Sequence, residues 1–154
     1  MRPMNIILSA GGTGGHIFPA IAVAEEIRNR FKDSSILFVG AHGKMEMQKV
    51  PKAGFEIEGL PVHGLTRRMG FKSIVALWKF GLSVFGAMKI MRRFKPDVVM
   101  GFGAFASAPI LCAAIIKKVH IVLHEQNAYP GLVNRWIGKY ADRICVAFED
   151  MHTY

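Results

Sequence analysis

Gly11, Gly12, Thr13, Gly14, Gly15 and His16 follow one another in the run GGTGGH, the first place in the chain where residue types and spacing could do chemistry. Glycines leave backbone N–H groups bare. A helix starting just after them adds the positive end of its dipole, so the run suits an anionic oxygen such as that of a phosphate. Thr13 adds a hydroxyl donor; a tight turn that holds no ligand is the alternative. Two familiar phosphate loops are excluded by spacing. GGTGGHIF lacks the Gly-Lys-Ser/Thr ending of a Walker loop, and Ile17 stands where a dinucleotide fingerprint needs its third glycine. The pattern recurs at GFGAFASAP, where Gly101, Gly103 and Ser107 could form a second cradle, and HEQN places His124, Glu125 and Asn127 together. His120 and His124 do not make a metal pair, because their spacing on a strand keeps the two imidazoles from one ion. No metal and no cofactor are expected.

The elements that must position these residues alternate along the chain. Ile6, Ile7 and Leu8 form a run too short for a helix, and Ile17, Ile21, Ala24 and Ile27 then recur at helical spacing, which starts a helix near His16. ILFVG is a second buried strand, Met45 to Lys52 a short helix, and Phe55, Ile57 and Leu60 a third strand. VHGLTRRMGFKS reads as a basic loop. DVVMGFG is a fourth strand, a helix follows from Ser107 or Ala108 through Ile116, HIVLHEQN is a fifth strand, LVNRWIGKY a helix and RICVAF a last strand. Alternation of this type requires a Rossmann-like, doubly wound parallel sheet with helices on both faces and right-handed crossovers. Ligands collect outside the carboxyl ends of such strands, so the two glycine turns and HEQN converge on one crevice.

At 154 residues the chain makes one domain. Lys and Arg number 20 against 11 Asp and Glu, a formal charge of +9 that calls for an acidic partner: anionic lipid, a phosphorylated substrate or nucleic acid. Nucleic acid ranks last, since no recognition helix, zinc knuckle or aromatic sheet surface is apparent. The amino terminus lacks a signal-peptide cleavage region, which places the protein in the cytoplasm. Cys112 and Cys145 sit in apolar settings and read as reduced, buried thiols. A mean hydropathy of +0.27 is high, yet Lys79 and Lys89 interrupt the span from Ile74 to Met91 short of the ~18 uncharged residues of a membrane helix. For that segment two readings stay open. Trp78, Leu82 and Phe85 fill the core, or the helix and the basic loop before it rest on an anionic membrane through Arg67, Arg68, Lys72, Ile74, Val75 and Trp78.

GGTGGHIFPA, PDVVMGFGAFASAP and LHEQNAYPGLVNRW together resemble the MurG family, whose members transfer N-acetylglucosamine (GlcNAc) from UDP-GlcNAc to undecaprenyl-diphosphoryl-MurNAc-pentapeptide, converting lipid I to lipid II in peptidoglycan synthesis. The resemblance spans essentially the whole chain and implies the amino-terminal, acceptor-side half of a GT-B glycosyltransferase, with the donor-binding domain lying outside this chain. It also implies a peripheral location on the cytoplasmic face of the inner membrane. Carried over by position, Thr13, Gly14 and Gly15 approach the donor sugar or diphosphate and Asn127 contacts the donor from this side. His16 and Glu125 become candidates for acceptor binding or for general-base catalysis. His16 opens a helix whose dipole favours an uncharged base, or it caps or packs; Glu125 serves catalysis or holds its own loop. One departure stands out: the family's Gly-Gly-Tyr is here Gly103, Ala104 and Phe105, without the tyrosine hydroxyl. Two other classes are weighed against the transferase: a non-catalytic membrane-surface module that binds a lipid diphosphate or recruits a catalytic chain, and a nucleotide-binding oxidoreductase, which the missing fingerprint argues against.

Overall fold

A computed structural model describes residues 3–62 and 71–148, with the side chains of 71–74 outside that description. The chain runs β1 (Asn5–Ser9), α1 (Gly14–Arg30), β2 (Ser35–Ala41), α2 (Glu46–Lys52), β3 (Glu56–Leu60), α3 (Phe71–Phe94), β4 (Val98–Gly101), α4 (Ala108–Lys117), β5 (His120–Glu125), α5 (Leu132–Ile137) and β6 (Arg143–Val146). Short 3-10 turns cover Phe105–Ser107 and Gly138–Tyr140. All strand pairs are parallel and the sheet order is β3-β2-β1-β4-β5-β6. This is the expected doubly wound sheet.

Successive strand residues point to opposite faces, and β1 shows the consequence. Ile6 and Leu8 join a core with Phe38, Ile17, Ile21 and Val50, which packs α1 and α2 on one side. Ile7 joins Val39, Val99, Ile121 and Leu123 under α3, α4 and α5 on the other. A strand buried on both faces has no polar alternation, which is why ILFVG and DVVM read as continuous apolar runs. The order reverses between β1 and β4, where the following turns leave for opposite faces of the sheet, and a crevice opens at such a switch point.

Several expectations are refined by the structure. Helix α1 begins at Gly14, two residues before His16, because the Thr13 carbonyl accepts the N–H groups of His16 and Ile17, each at 3.2 Å. Helix α3 starts at Phe71 and so takes in Phe71 to Ser73, read as loop; Arg67 and Arg68 lie outside the described residues, as do the side chains of Lys72 and Ile74. Trp78, Leu82 and Phe85 do not fill the core. They are 67%, 47% and 53% exposed, and with Val75 and Leu77 they form an outward apolar stripe, while Ala87, Ile90 and Met91 face the sheet. No helix among the described residues is long and apolar enough to cross a membrane. Cys145 is exposed, contrary to the buried thiol expected, because β6 is the edge strand and its side chains are uncovered among the described residues. Cys112 is half-buried, and burial pushes its thiol up from the ordinary range.

Candidate active site

Three chain segments meet above the carboxyl ends of β1, β4 and β5. The first follows β1, where Ser9 is buried and donates its hydroxyl to the Val39 carbonyl at 2.7 Å, tying β1 to β2. Gly12 then takes φ +83, a conformation open to glycine. Gly11 allows a close approach: a Cβ there would lie 2.4 Å from Glu46 Oε1 and 2.7 Å from the Ala106 Cβ. Gly14 leaves room for the Phe18 ring, since a Cβ would stand 2.9 Å from it. Gly15 differs from the others. It is exposed, and the nearest atom to a Cβ there would be Thr13 Oγ1 at 3.8 Å, so packing does not demand glycine. Thr13 precedes the helix in extended geometry, and its side chain makes no capping bond.

The second segment follows β4. Gly101 is a packing glycine, because a Cβ would meet Leu111 at 2.8 Å and Leu123 at 3.2 Å. Phe102 is fully buried; its N–H donates to the Ser9 carbonyl at 2.9 Å, extending the pairing of β4 with β1. Gly103 has φ +82, and Ala104 has φ 65 with ψ 156, a region that side-chain-bearing residues seldom occupy. Ser107 is fully buried, with its hydroxyl 2.8 Å from both the Gly103 and the Ala104 carbonyl oxygens. Gly101 and Ser107 therefore shape this turn from within, one by packing and the other by its hydroxyl.

The two turns are joined by His16. Its Nδ1 lies 2.8 Å from the Phe102 carbonyl oxygen. The carbonyl can only accept, so this bond requires the proton on Nδ1, whereas the Gln126 amide nitrogen beside it can only donate and would require a lone pair there. Gln126, at the end of β5, donates from Nε2 to the same carbonyl at 3.1 Å and also touches His16 Nδ1. The Phe102 and His124 rings lie 5.3 Å apart, tilted by 33°.

Glu125 closes the third segment and is 2% exposed. Its Oε1 accepts the Asn127 N–H at 3.0 Å and Asn127 Nδ2 at 2.8 Å; its Oε2 accepts the Gly131 N–H at 2.9 Å and Asn134 Nδ2 at 2.9 Å. Burial pushes this carboxyl up, but the N–H groups of Gly131 and Asn127 and the side chains of Asn134 and Asn127 outweigh it and hold the group below its ordinary range. Both oxygens of the carboxylate are taken up by these four donors, which hold the loop after β5. Asn127 is itself exposed, with its amide nitrogen engaged on Glu125.

His120 and His124 stand apart as their spacing requires: His120 Nδ1 is 3.2 Å from Asp142 at the opposite end of β5. Sequence reasoning missed Gln126, Asn134 and Glu46. Gln126 stood between two residues that were singled out. Glu46 gave one signal, a charged residue four places before Val50 on the face that α2 buries.

Residues 6–146 match the model of the glycosyltransferase family 28 N-terminal domain. The chain is 47% identical, over all of its length, to the Flavobacterium psychrophilum UDP-N-acetylglucosamine–N-acetylmuramyl-(pentapeptide) pyrophosphoryl-undecaprenol N-acetylglucosamine transferase, and 48% identical over 99% of its length to the protein of that name from Cytophaga hutchinsonii. It covers 42% of each of those relatives. Among solved structures, Acinetobacter baumannii MurG superposes with a TM-score of 0.85 at 30% identity, over 97% of this chain and 42% of that one.

Proposed function

We propose, from the premise that the chain belongs to the glycosyltransferase family 28 N-terminal domain family, that it is the acceptor-side half of a two-domain GT-B enzyme. The reaction moves GlcNAc from UDP-GlcNAc to a lipid-linked diphosphoryl-MurNAc-pentapeptide, as the names of the relatives state for those proteins. The chain spans less than half the length of these relatives, so the uridine-binding half is taken to lie in a second domain.

The bond between His16 Nδ1 and the Phe102 carbonyl carries the proposal. With the Nδ1 proton donated to that carbonyl, Nε2 is placed to accept the proton of an acceptor hydroxyl. That hydroxyl oxygen forms a bond to the anomeric carbon of GlcNAc, the bond from that carbon to the diphosphate breaks, and UDP departs with the electron pair. Thr13 and the first-turn N–H groups of α1 at Gly14 and Gly15 face the charge that develops on the diphosphate. Glycine at 15 supports this, because neither packing nor backbone conformation requires it there. Gly103 borders the same space beside His16. Asn127 lies at its rim, on the loop that Glu125 holds.

Membrane contact belongs to the same proposal. The outward stripe of Val75, Leu77, Trp78, Leu82 and Phe85 exposes large apolar side chains on one helix face. With the basic residues of the segment before it, such a face suits peripheral binding to the cytoplasmic leaflet, where the lipid-linked acceptor is held. The test is transfer of labelled GlcNAc from UDP-GlcNAc to a lipid-linked acceptor. Transfer is expected from the protein carrying both halves and not from this chain alone; turnover by the 154-residue chain without a partner would overturn the split site.

A further inference from the structure

We propose that Glu46 is a positioning residue of the transfer site, a buried carboxylate that sets the shape of the first glycine turn and, through it, the seat of His16. The proposal rests on that turn being part of the transfer site.

Glu46 opens α2 and is fully buried. Its Oε1 accepts the Ala41 N–H at 3.0 Å, and its Oε2 accepts the Gly12 N–H at 3.2 Å from 34 positions away. Among the described residues no cation pairs with it. An apolar side chain would fill this space without the desolvation of a charge, so what the carboxylate contributes is direction: it fixes two backbone N–H groups at the carboxyl ends of β1 and β2. Both strands leave room for it. A Cβ at Gly40 would stand 2.5 Å from the Glu46 Cγ, and one at Gly11 would stand 2.4 Å from its Oε1.

Two consequences reach the site. The Gly12 N–H is turned inward, so the donors left for an anion, the Thr13 hydroxyl and amide and the amides of Gly14 and Gly15, lie at the end of the turn next to His16. Gly11 is also pressed between Glu46 and Ala106, so Glu46, the first turn and the second turn form one stack. The second turn carries the carbonyl that holds His16 Nδ1.

Amide hydrogen exchange in the unmodified chain tests the first link. Gly12 is exposed and lies outside the sheet and helices, yet its amide should exchange about tenfold or more slowly than that of Gly43, another exposed loop glycine. Equal rates would overturn the proposal. Glu46→Gln tests the second link, because it keeps the volume but sets an NH2 against one of the two N–H donors. Protection should fall at Gly12 or Ala41. In the two-domain protein, assayed well below its melting temperature, kcat should drop about tenfold or more while KM for UDP-GlcNAc stays within about threefold. A folded variant that loses only melting temperature and keeps its kcat would make Glu46 purely structural and overturn the proposal. Absence of transfer by the unmodified two-domain protein would instead sink the transfer reading, and the site role of Glu46 with it.

Discussion

Replacing Ala104 by glycine should stabilise the domain. Ala104 has φ 65 and ψ 156, where a Cβ crowds the backbone and a non-glycine residue costs about 1–3 kcal/mol. The turn stays in place because the Ser107 hydroxyl reaches both the Gly103 and Ala104 carbonyl oxygens and the Ala106 methyl is packed against Gly11. Glycine removes the strain but adds freedom to the unfolded chain, an opposing term of about 0.4–1 kcal/mol. The lost methyl is half-buried and contributes at most about 0.5 kcal/mol. The net expectation is a gain of about 1 kcal/mol, which for a domain of this size raises the melting temperature by roughly 2–4 °C. Thermal melts and urea titrations of Ala104→Gly against the unmodified chain measure it. An unchanged or lowered midpoint, with the same urea dependence, would refute the claim that the backbone here is strained.

Glu125→Gln should destabilise the fold by about 1–3 kcal/mol at neutral pH, because an amide cannot accept from all four donors that surround it. The folded-state pKa of Glu125 is lowered, so its stabilisation is present above the ordinary carboxyl value of about 4.3 and is lost as pH falls through the depressed value. Melting curves of the two proteins should therefore converge in acid; a gap that stays constant down to pH 2 would refute this. Trp78→Ala should weaken sedimentation with anionic vesicles about tenfold or more, since the side chain is 67% exposed and free to insert. Salt should release the unmodified chain as basic contacts are screened beyond ~8 Å, and equal binding to neutral vesicles at low salt would remove the electrostatic part.

The sheet was legible because its signals are local. Apolar runs of three to five residues ended in glycine or polar residues, and α1 showed a helical period, so the alternation and the crevice at the strand ends followed without long-range information. The faces of α3 were not legible, since IVALWKFGLSVFGAMKI is apolar nearly all round and periodicity cannot choose a core side. Only packing shows that Ala87, Ile90 and Met91 turn inward while Trp78 and Phe85 turn out. Gly101 and Gly103 look alike in sequence, yet one makes room for Leu111 and the other supplies a positive φ. Ser107 was read with Gly101 and Gly103 as a second cradle; its hydroxyl bonds to the carbonyls three and four residues back depend on the turn geometry, which the sequence does not show. The burial of Glu46 had a signal in its place on the face of Val50, but its role did not, because its partners are backbone amides that carry no sequence signature.

The central claim is that His16, oriented by the Phe102 carbonyl, is the base of a GlcNAc transfer. His16→Ala in the two-domain protein, with kcat and UDP-GlcNAc affinity measured separately, tests it most directly. Loss of the base should lower kcat by roughly 10² to 10⁴ with donor affinity nearly unchanged. Near-normal turnover by that variant would contradict the account and leave His16 a residue that only fastens one turn to the other.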